Sequence, residues 1–244
     1  MSSVVVPTEF EFSSWEEFEE RNKGYFQLDA SVRSQYIFRG QSDQVWNLAP
    51  TLDRIRVFGS TTERDSVLGQ LIEEFRRQSL GLPLPLGTPH GPRQWELLGR
   101  HHGLPATILD WTDSLYVAAY FAFADPCCLK AEKVAIWVFS RQYFINRGSG
   151  SESKGEEIVD ILDDTEDYRF NLRAVEQQAI YMKVHYGALP LEETLGLYLW
   201  KFILPTSIRE EVLDRTNEMR INQRLLFRDL DSAARTSEWK VLRK

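Results

Sequence analysis

The chain has 244 residues, of which 43% are hydrophobic, 27% charged and 12% aromatic, and this composition is typical of a globular protein with a substantial core. Its formal net charge of −7 argues against sequence-independent binding to nucleic acid or anionic membrane, because both depend on a positive surface. The two cysteines, Cys127 and Cys128, are adjacent, which argues against a disulfide framework.

No window approaches the roughly 20 apolar residues that a membrane helix needs, and no basic region precedes the first short apolar run. The sequence therefore predicts a cytoplasmic protein without a membrane partner.

Hydrophobic periodicity and turn residues predict alternating helices and strands without an internal repeat. The first predicted element is a helix to about Tyr25 that follows the capping box Ser14-Trp15-Glu16-Glu17. A strand over 35–39, a helix over 62–80, a Pro/Gly loop over 80–92, a helix over 94–102 and a buried helix over 114–124 come next. The second half contains a central strand over 134–139, a loop over 146–157, strands over 179–184 and 197–204, a helix from Thr206 or Ser207 to about Met219, and a final helix. The pattern predicts a single α+β domain, with a mixed or antiparallel sheet flanked by helices and an N-terminal helical segment over 1–30.

The strand that starts at Tyr36 ends in the triplet Arg39-Gly40-Gln41. An arginine offers a fixed fork of donors for phosphate or carboxylate, and a glycine allows a ligand to approach the backbone. Gln41 adds a donor and an acceptor, and a second arginine follows at Arg54. The alternative is an ion pair that closes the end of the sheet over a carboxylate.

A second polar group precedes the buried helix. His101 and His102 stand beside a glycine, and Asp110-Trp111-Thr112 leads into the helix. These side chains either satisfy the backbone of the turn or form the wall of a pocket with a ligand against Trp111. We expect Trp111 to be mostly buried, packed against the 115–123 helix or forming the floor of the pocket.

The spacing of the histidines and cysteines predicts no metal site, since adjacent residues point in different directions and neither pair would meet at one ion. A cysteine nucleophile lacks an activating base, and no Walker-type or dinucleotide-type glycine loop is present.

The third polar group, at the entrance of the strand over 179–184, contains Arg173, Glu176, Gln177 and Gln178. It suits either a solvated loop or one side of a site. Because side chains alternate along a strand, at most one of the two glutamines would be buried in a site, with Glu176 on the side of Gln178. We expect Arg39, Asp110, Thr112 and Gln177 to line one concave surface.

The chain resembles the FRG domain family over residues 31–240. The residues that carry the resemblance are Phe38-Arg39-Gly40 with Trp46 and Pro50-Thr51-Leu52-Arg54, His101-His102-Gly103-Leu104-Pro105, Leu109-Asp110-Trp111-Thr112, the helix ending Tyr120-Phe121-Ala122, Arg173 with Gln177, Lys201-Phe202 and Leu226-Phe227.

The order of elements is also similar, more distantly, to that of ADP-ribosyltransferases. Arg39-Gly40 would match the motif on their first strand, Thr112 their hydroxyl-bearing strand, and Glu176 to Gln178 their later carboxylate or amide motif. The resemblance implies NAD as substrate, with Arg39 on the pyrophosphate or ribose and Glu176 on the ribose hydroxyl. Gln177 occupies the position of the glutamine that FRG domains carry, and its side chain is uncharged.

Two hypotheses follow. In the first, the protein is an ADP-ribosyltransferase-like enzyme or NAD glycohydrolase, a bacterial toxin or phage-defence effector that acts on a nucleotide and a protein or nucleic-acid acceptor. Arg39, Asp110, Glu176 and Gln177 would be catalytic, while Gly40, Gln41, Arg54, His101, His102, Trp111 and Thr112 would bind ligand. In the second, the same fold is a non-catalytic ligand-binding or protein-interaction module.

Overall fold

A seven-stranded sheet forms the centre of the protein, whose computed structural model describes residues 6–84, 88–148, 158–162, 172–187 and 190–242. In chain order, the strands are β1 (Thr8–Glu11), β2 (Tyr36–Gln41), β3 (Ile108–Thr112), β4 (Lys133–Ser140), β5 (Val159–Leu162), β6 (Ala179–Val184) and β7 (Leu199–Pro205). Their order across the sheet is β1-β7-β4-β2-β3-β6-β5. β1 is parallel to β7 and the other pairings are antiparallel, so the predicted α+β class with a mixed sheet is confirmed.

Helices surround this sheet, and among the described residues none of them is both long enough and apolar enough to span a membrane. In chain order, they are α1 (Trp15–Phe26), α2 (Ala30–Arg33), α3 (Thr51–Ile55), α4 (Thr61–Gln78), α5 (Pro92–His101), α6 (Leu115–Ala124), α7 (Gln142–Gly148), α8 (Leu172–Glu176), α9 (Leu191–Leu195), α10 (Arg209–Glu218), α11 (Gln223–Phe227) and α12 (Leu230–Leu242). Three short 3₁₀ turns lie at Pro126–Lys130, Gly196–Tyr198 and Thr206–Ile208.

Local sequence signals account for several helix ends. The hydroxyl of Ser14 accepts a hydrogen bond from the backbone N–H of Glu17, and the hydroxyl of Ser114 caps α6 in the same way. After α5 the chain turns at Gly103, whose φ of +88° favours glycine. The serine caps thus mark the starts of α1 and α6, and the glycine marks the end of α5.

Hydrophobic cores cover both faces of the sheet. Side chains alternate along β2, so Phe38 packs with the buried residues of α6 on one face. Ile37 packs on the other face, with Leu109, Trp111 and Phe139. The central strands are therefore sealed on both sides, and a site must open at their ends or between them.

Short elements are where the structure departs from the predicted pattern. β1 belongs to the sheet, so the 1–30 segment contributes a strand as well as a helix. α8 replaces the loop expected before β6, and α3 and β5 have no predicted counterpart. The loop predicted over 146–157 begins inside α7, while its residues 149–157, like residues 85–87 of the earlier loop, lie outside the described residues.

Candidate functional site

The site begins where β2 and β3 separate. Phe38 lies opposite Thr112, and no other position pairs these two strands among the described residues. Arg39 follows immediately, and its Nη1 donates a hydrogen bond to the backbone carbonyl oxygen of Asp110 at 2.5 Å. By strand alternation Arg39 and Asp110 project from opposite faces, so the Arg39 guanidinium must turn into the gap between the strands to reach this carbonyl.

Three arginines surround the carboxylate of Asp110. Arg100, in the last turn of α5, forms an ion pair with it, at 2.5 Å between Nη2 and Oδ2. Arg54, on α3, interacts electrostatically with both Arg100 and Asp110, and Arg39 interacts with all three. We call Arg39, Arg54, Arg100 and Asp110 the arginine cluster. Three cations around one carboxylate leave two positive charges in excess, in a protein that is acidic as a whole.

Burial and mutual repulsion both act on these cations. Burial lowers the pKa of Arg39 to about 10; Asp110 opposes the shift, while Arg100 and Arg54 add to it. Arg54 is exposed as a whole residue, but partial burial of its guanidinium and then the charge of Arg100 lower its pKa as well. Both groups remain protonated at neutral pH. An anion placed between them would relieve the repulsion, which makes the cluster electrostatically suited to phosphate.

Several polar atoms of the cluster have unused hydrogen-bonding capacity. Within the described part of the chain, Arg39 Nε, Arg100 Nε and Asp110 Oδ1 are buried without a hydrogen-bond partner. The side chain of Arg54 likewise makes no hydrogen bond or ion pair with a described residue. Buried polar atoms without partners are uncommon in folded proteins. Three of the six such atoms in the described part of the chain lie together in the arginine cluster.

His101 lies beside the arginine cluster, and its imidazole is uncharged at neutral pH. Its Nε2 is 2.8 Å from the hydroxyl of Tyr181, the residue that pairs with Asp110 across β3 and β6. Burial lowers the pKa of His101 to about 4, with Asp110 opposing the shift and Arg100 supporting it. An imidazole that stays neutral can orient the Tyr181 hydroxyl but adds no charge to the cluster. The adjacent His102 is exposed.

Replacement of His101 by glutamine is expected to weaken the acid sensitivity of the protein. The folded pKa of His101 lies below the unfolded value of 6.5, so the unfolded state binds the proton first and stability falls as the pH drops from about 6.5 to 4. Between pH 7 and pH 5 the wild type should lose about 1–2 kcal/mol more of its unfolding free energy than His101→Gln. Urea unfolding of both proteins at the two pH values measures this difference, and parallel losses would contradict it.

The structure corrects the explanation of Gly40 and Gln41. A Cβ at Gly40 would lie 2.0 Å from the carbonyl oxygen of Ala118 in α6, so the glycine is required by helix packing rather than by the approach of a ligand. Gln41 is only 6% exposed. Its Oε1 accepts a hydrogen bond from Trp137 Nε1, and its Nε2 donates to the carbonyl of Asn47. Gln41 therefore holds the following loop in place.

Trp111 and Thr112 are also committed to the fold. Trp111 is 2% exposed, as expected for a buried residue, but it packs against Phe139 on the face opposite α6 and does not offer its ring to a ligand. The Thr112 hydroxyl donates to the carbonyl of Gln177 at 2.8 Å and accepts from the N–H of Ser114. The hydroxyl thus satisfies the turn into α6 and connects it to the third polar group.

The third polar group is held by the C-terminal segment over 226–229. Glu176 forms an ion pair with Arg228, at 2.6 Å between Oε1 and Nη2. Gln177 donates its side-chain N–H to the carbonyl of Leu226, while Arg173 pairs with Asp229. Gln178, with a φ of +47°, is exposed. The carboxylate of Glu176 is therefore engaged by an arginine and is not aimed at Arg39.

The predicted site residues thus fall into two groups. Arg39, Arg54 and Asp110 meet in the arginine cluster, while Thr112, Glu176 and Gln177 meet around the start of β6. The two groups adjoin, because Arg173 acts electrostatically on His101. Sequence patterns missed Arg100, Tyr181 and Arg228, whose partners lie 10, 80 and 52 residues away in the chain. The nearest signal for Arg100 was its position directly before His101.

Other candidate sites are weaker. In the described residues, no group of three or more histidine, cysteine, aspartate or glutamate side chains is arranged to hold a metal ion. A shallow depression of about 500 Å³ lies on the C-terminal segment, lined by Arg224, Leu225, Arg228, Asp229, Leu230 and Ala233. It includes no residue of the arginine cluster.

Fold and site together define an α+β protein with a cationic site where two central strands of its sheet diverge. The model of the FRG domain family matches residues 34–130, a range that includes the whole arginine cluster, so this part of the chain is an FRG domain, as its Phe-Arg-Gly motif indicated. No curated protein and no solved structure matches the chain.

Proposed function

We propose that this FRG domain binds a nucleotide with a diphosphate group, such as NAD, at the arginine cluster. The observation that carries the proposal is the excess of cations: Arg39, Arg54 and Arg100 share the single carboxylate of Asp110. A guanidinium fork matches the oxygens of phosphate, and such charge-assisted hydrogen bonds are among the strongest in proteins.

Each member of the cluster has a different place in this proposal. Arg54 is exposed and supplies the first contact for an incoming diphosphate. Arg39 is held at the mouth of the strand gap by the Asp110 carbonyl, which leaves further donors of its guanidinium for the ligand. Asp110 orients Arg100 through their ion pair. NAD is a substrate or ligand in this proposal and not a resident cofactor.

The competing explanation is structural. Arg39 also supplies a hydrogen bond to a carbonyl that has lost its strand partner, and Arg100 pairs with Asp110 whether or not a ligand binds. Arg54 separates the two explanations, since its guanidinium makes no hydrogen bond or ion pair with a described residue. A purely structural cluster would therefore lose little stability without Arg54.

Calorimetric titration with NAD tests the proposal. We expect Arg54→Ala to lower the affinity at least tenfold, about 1.4 kcal/mol, because a hydrogen bond to a charged group is lost, while the melting temperature stays near that of the wild type. Arg39→Ala should abolish measurable binding, and Arg39→Lys should restore it only in part, since the fork is missing. Arg76→Ala, an exposed arginine on α4, is the matched control. Equal affinities for wild type, Arg54→Ala and Arg39→Ala would refute the site.

A second candidate function is transfer or hydrolysis at the nicotinamide ribose of NAD. The observation in its favour is the hydrogen bond from Thr112 to the Gln177 carbonyl, which joins the two segments that the ADP-ribosyltransferase resemblance assigns to that ribose. In this reaction the bond between ribose C1′ and nicotinamide breaks, and nicotinamide leaves with the bonding pair. A water or an acceptor side chain on a protein or nucleic acid then bonds to C1′ and loses its proton.

Glu176 would stabilise the positive charge that develops on the ribose, and it must part from Arg228 to do so. Release of nicotinamide from NAD measures this activity. Glu176→Gln keeps the shape of the side chain without its charge, so turnover should fall at least about a hundredfold while NAD affinity is retained. A wild type that binds NAD and releases no nicotinamide would remove this candidate and leave a binding module.

A further inference from the structure

The loop between β2 and α3 carries a tryptophan that the hydrophobic core does not use. Trp46 is 40% exposed, whereas Trp15, Trp95, Trp111 and Trp137 are at most 6% exposed. No described aromatic ring or cation lies against the Trp46 ring. An indole of this size normally buries a large apolar area, so its position on the surface is informative.

The exposed tryptophan is not part of a loose loop. The side chain of Gln41 donates to the carbonyl of Asn47, and Asp43 accepts from the N–H of Val45 and, through its carbonyl, from the N–H of Trp46. The buried Leu48 anchors the far side of the loop, with its N–H directed at the carboxylate of Glu192. A ring presented from a fixed loop loses little conformational entropy when a ligand binds.

Both ends of this loop are attached to the arginine cluster. β2, which carries Arg39, leads directly into it, and α3, which carries Arg54, follows it. The loop folds back toward the cluster, because the carbonyl of Asn47, the residue after Trp46, accepts a hydrogen bond from the side chain of Gln41. Gln41 lies two residues, about 7 Å, beyond Arg39 and on the same face of β2. In a nucleotide, one ribose separates the diphosphate from the base, so a base can reach Trp46 while the phosphates occupy the cluster.

Exposed aliphatic residues also occur in the two segments that border the cluster. Val45, Ile55 and Val57, which flank the cluster in sequence, are 72%, 69% and 93% exposed. Single exposed apolar residues are ordinary, but these stand in the two segments that border the same cationic site. A flat aromatic base with an apolar face and a polar edge suits an indole beside aliphatic groups.

We propose that Trp46 is the base-stacking residue of the nucleotide site, so that the FRG domain selects a base-bearing diphosphate over inorganic diphosphate. The proposal rests on nucleotide binding at the arginine cluster. Stacking of a base on an aromatic side chain contributes about 1–3 kcal/mol, which corresponds to a preference of about tenfold or more for the base-bearing ligand.

Parallel titrations with ADP and with inorganic pyrophosphate test the assignment. Wild type should bind ADP at least about tenfold more tightly than pyrophosphate. Trp46→Ala should bring the two affinities together by weakening ADP alone, and Trp46→Phe should keep part of the preference. Leu80→Ala removes an exposed apolar side chain just after α4, outside the two segments that border the cluster, and it should leave the preference unchanged. Tryptophan fluorescence should be quenched by ADP in the wild type and less so in Trp46→Phe.

The outcomes separate the two proposals. If pyrophosphate binds in an Arg39-dependent manner but ADP binds no more tightly, or if Trp46→Ala keeps the preference for ADP, the stacking role is wrong and the diphosphate site stands. If neither ligand binds the wild type, the nucleotide site itself is wrong and the stacking role falls with it.

Discussion

Replacing Gly40 by alanine should destabilise the protein by about 3 kcal/mol. The added Cβ would lie 2.0 Å from the carbonyl oxygen of Ala118 and 2.6 Å from the backbone nitrogen of Ala122, both in α6. These are backbone atoms of a buried helix, so the clash is relieved only by moving α6 off the sheet. Stabilities of single domains are typically about 5–15 kcal/mol, and urea unfolding should show the loss directly.

Gly69 provides the matched control. It lies within α4, and a Cβ there would meet no atom within 4 Å. Gly69→Ala should therefore stabilise the protein by up to about 1 kcal/mol, because alanine is the better helix former. If Gly40→Ala unfolded at the same urea concentration as the wild type, α6 could not lie against β2 as described. The experiment also separates the roles of two neighbours, since Gly40 serves the packing of α6 and Arg39 serves the cluster.

Trp111→Ala should cost about 3–5 kcal/mol of unfolding free energy, as expected when a large buried ring is removed from a core. The ring is 2% exposed and packs with Phe139 and other residues of the second core cluster. Its Nε1 has no hydrogen-bond partner among the described residues, so Trp111→Phe loses no bond there and should cost much less. Thermal or urea unfolding of the two variants gives the comparison.

Trp46→Ala provides the comparison between an exposed tryptophan and the buried Trp111. The same substitution at an exposed ring should change the unfolding free energy by less than about 1 kcal/mol. An unchanged melting temperature for Trp111→Ala would mean that its ring is not part of the core and would return it to the ligand-binding candidates. The contrast therefore tests the assignment of one tryptophan to the fold and the other to the site.

Much of the fold follows from local sequence. The continuous apolar run predicts β4, the apolar period predicts α4, and serine caps predict the starts of α1 and α6. Short elements were missed because a strand of four residues, such as β1 or β5, has too few positions to show a period. β1 is also exposed along its whole length, so it has no apolar alternation to detect.

The candidate site was predictable only in part. Arg39, Arg54 and Asp110 stand in motifs that indicate recognition of an anion, and the structure brings these three together. The same motifs misassigned Gly40 and Trp111, because a glycine that admits a helix and a glycine that admits a ligand look alike in sequence. Arg228 carried no local pattern, and the only signal for Arg100 was its position directly before His101.

By itself, the sequence determined the elements, the fold class and the FRG motif, since these depend on residues near one another in the chain. Only the tertiary structure decided which arginine faces which carboxylate. Asp110 contacts Arg100 and Arg39 because β3 lies beside α5 and separates from β2 after a single paired position. Glu176 contacts Arg228 because the C-terminal segment packs against α8. Charges attract according to their separation in space, and strand register and helix packing set that separation.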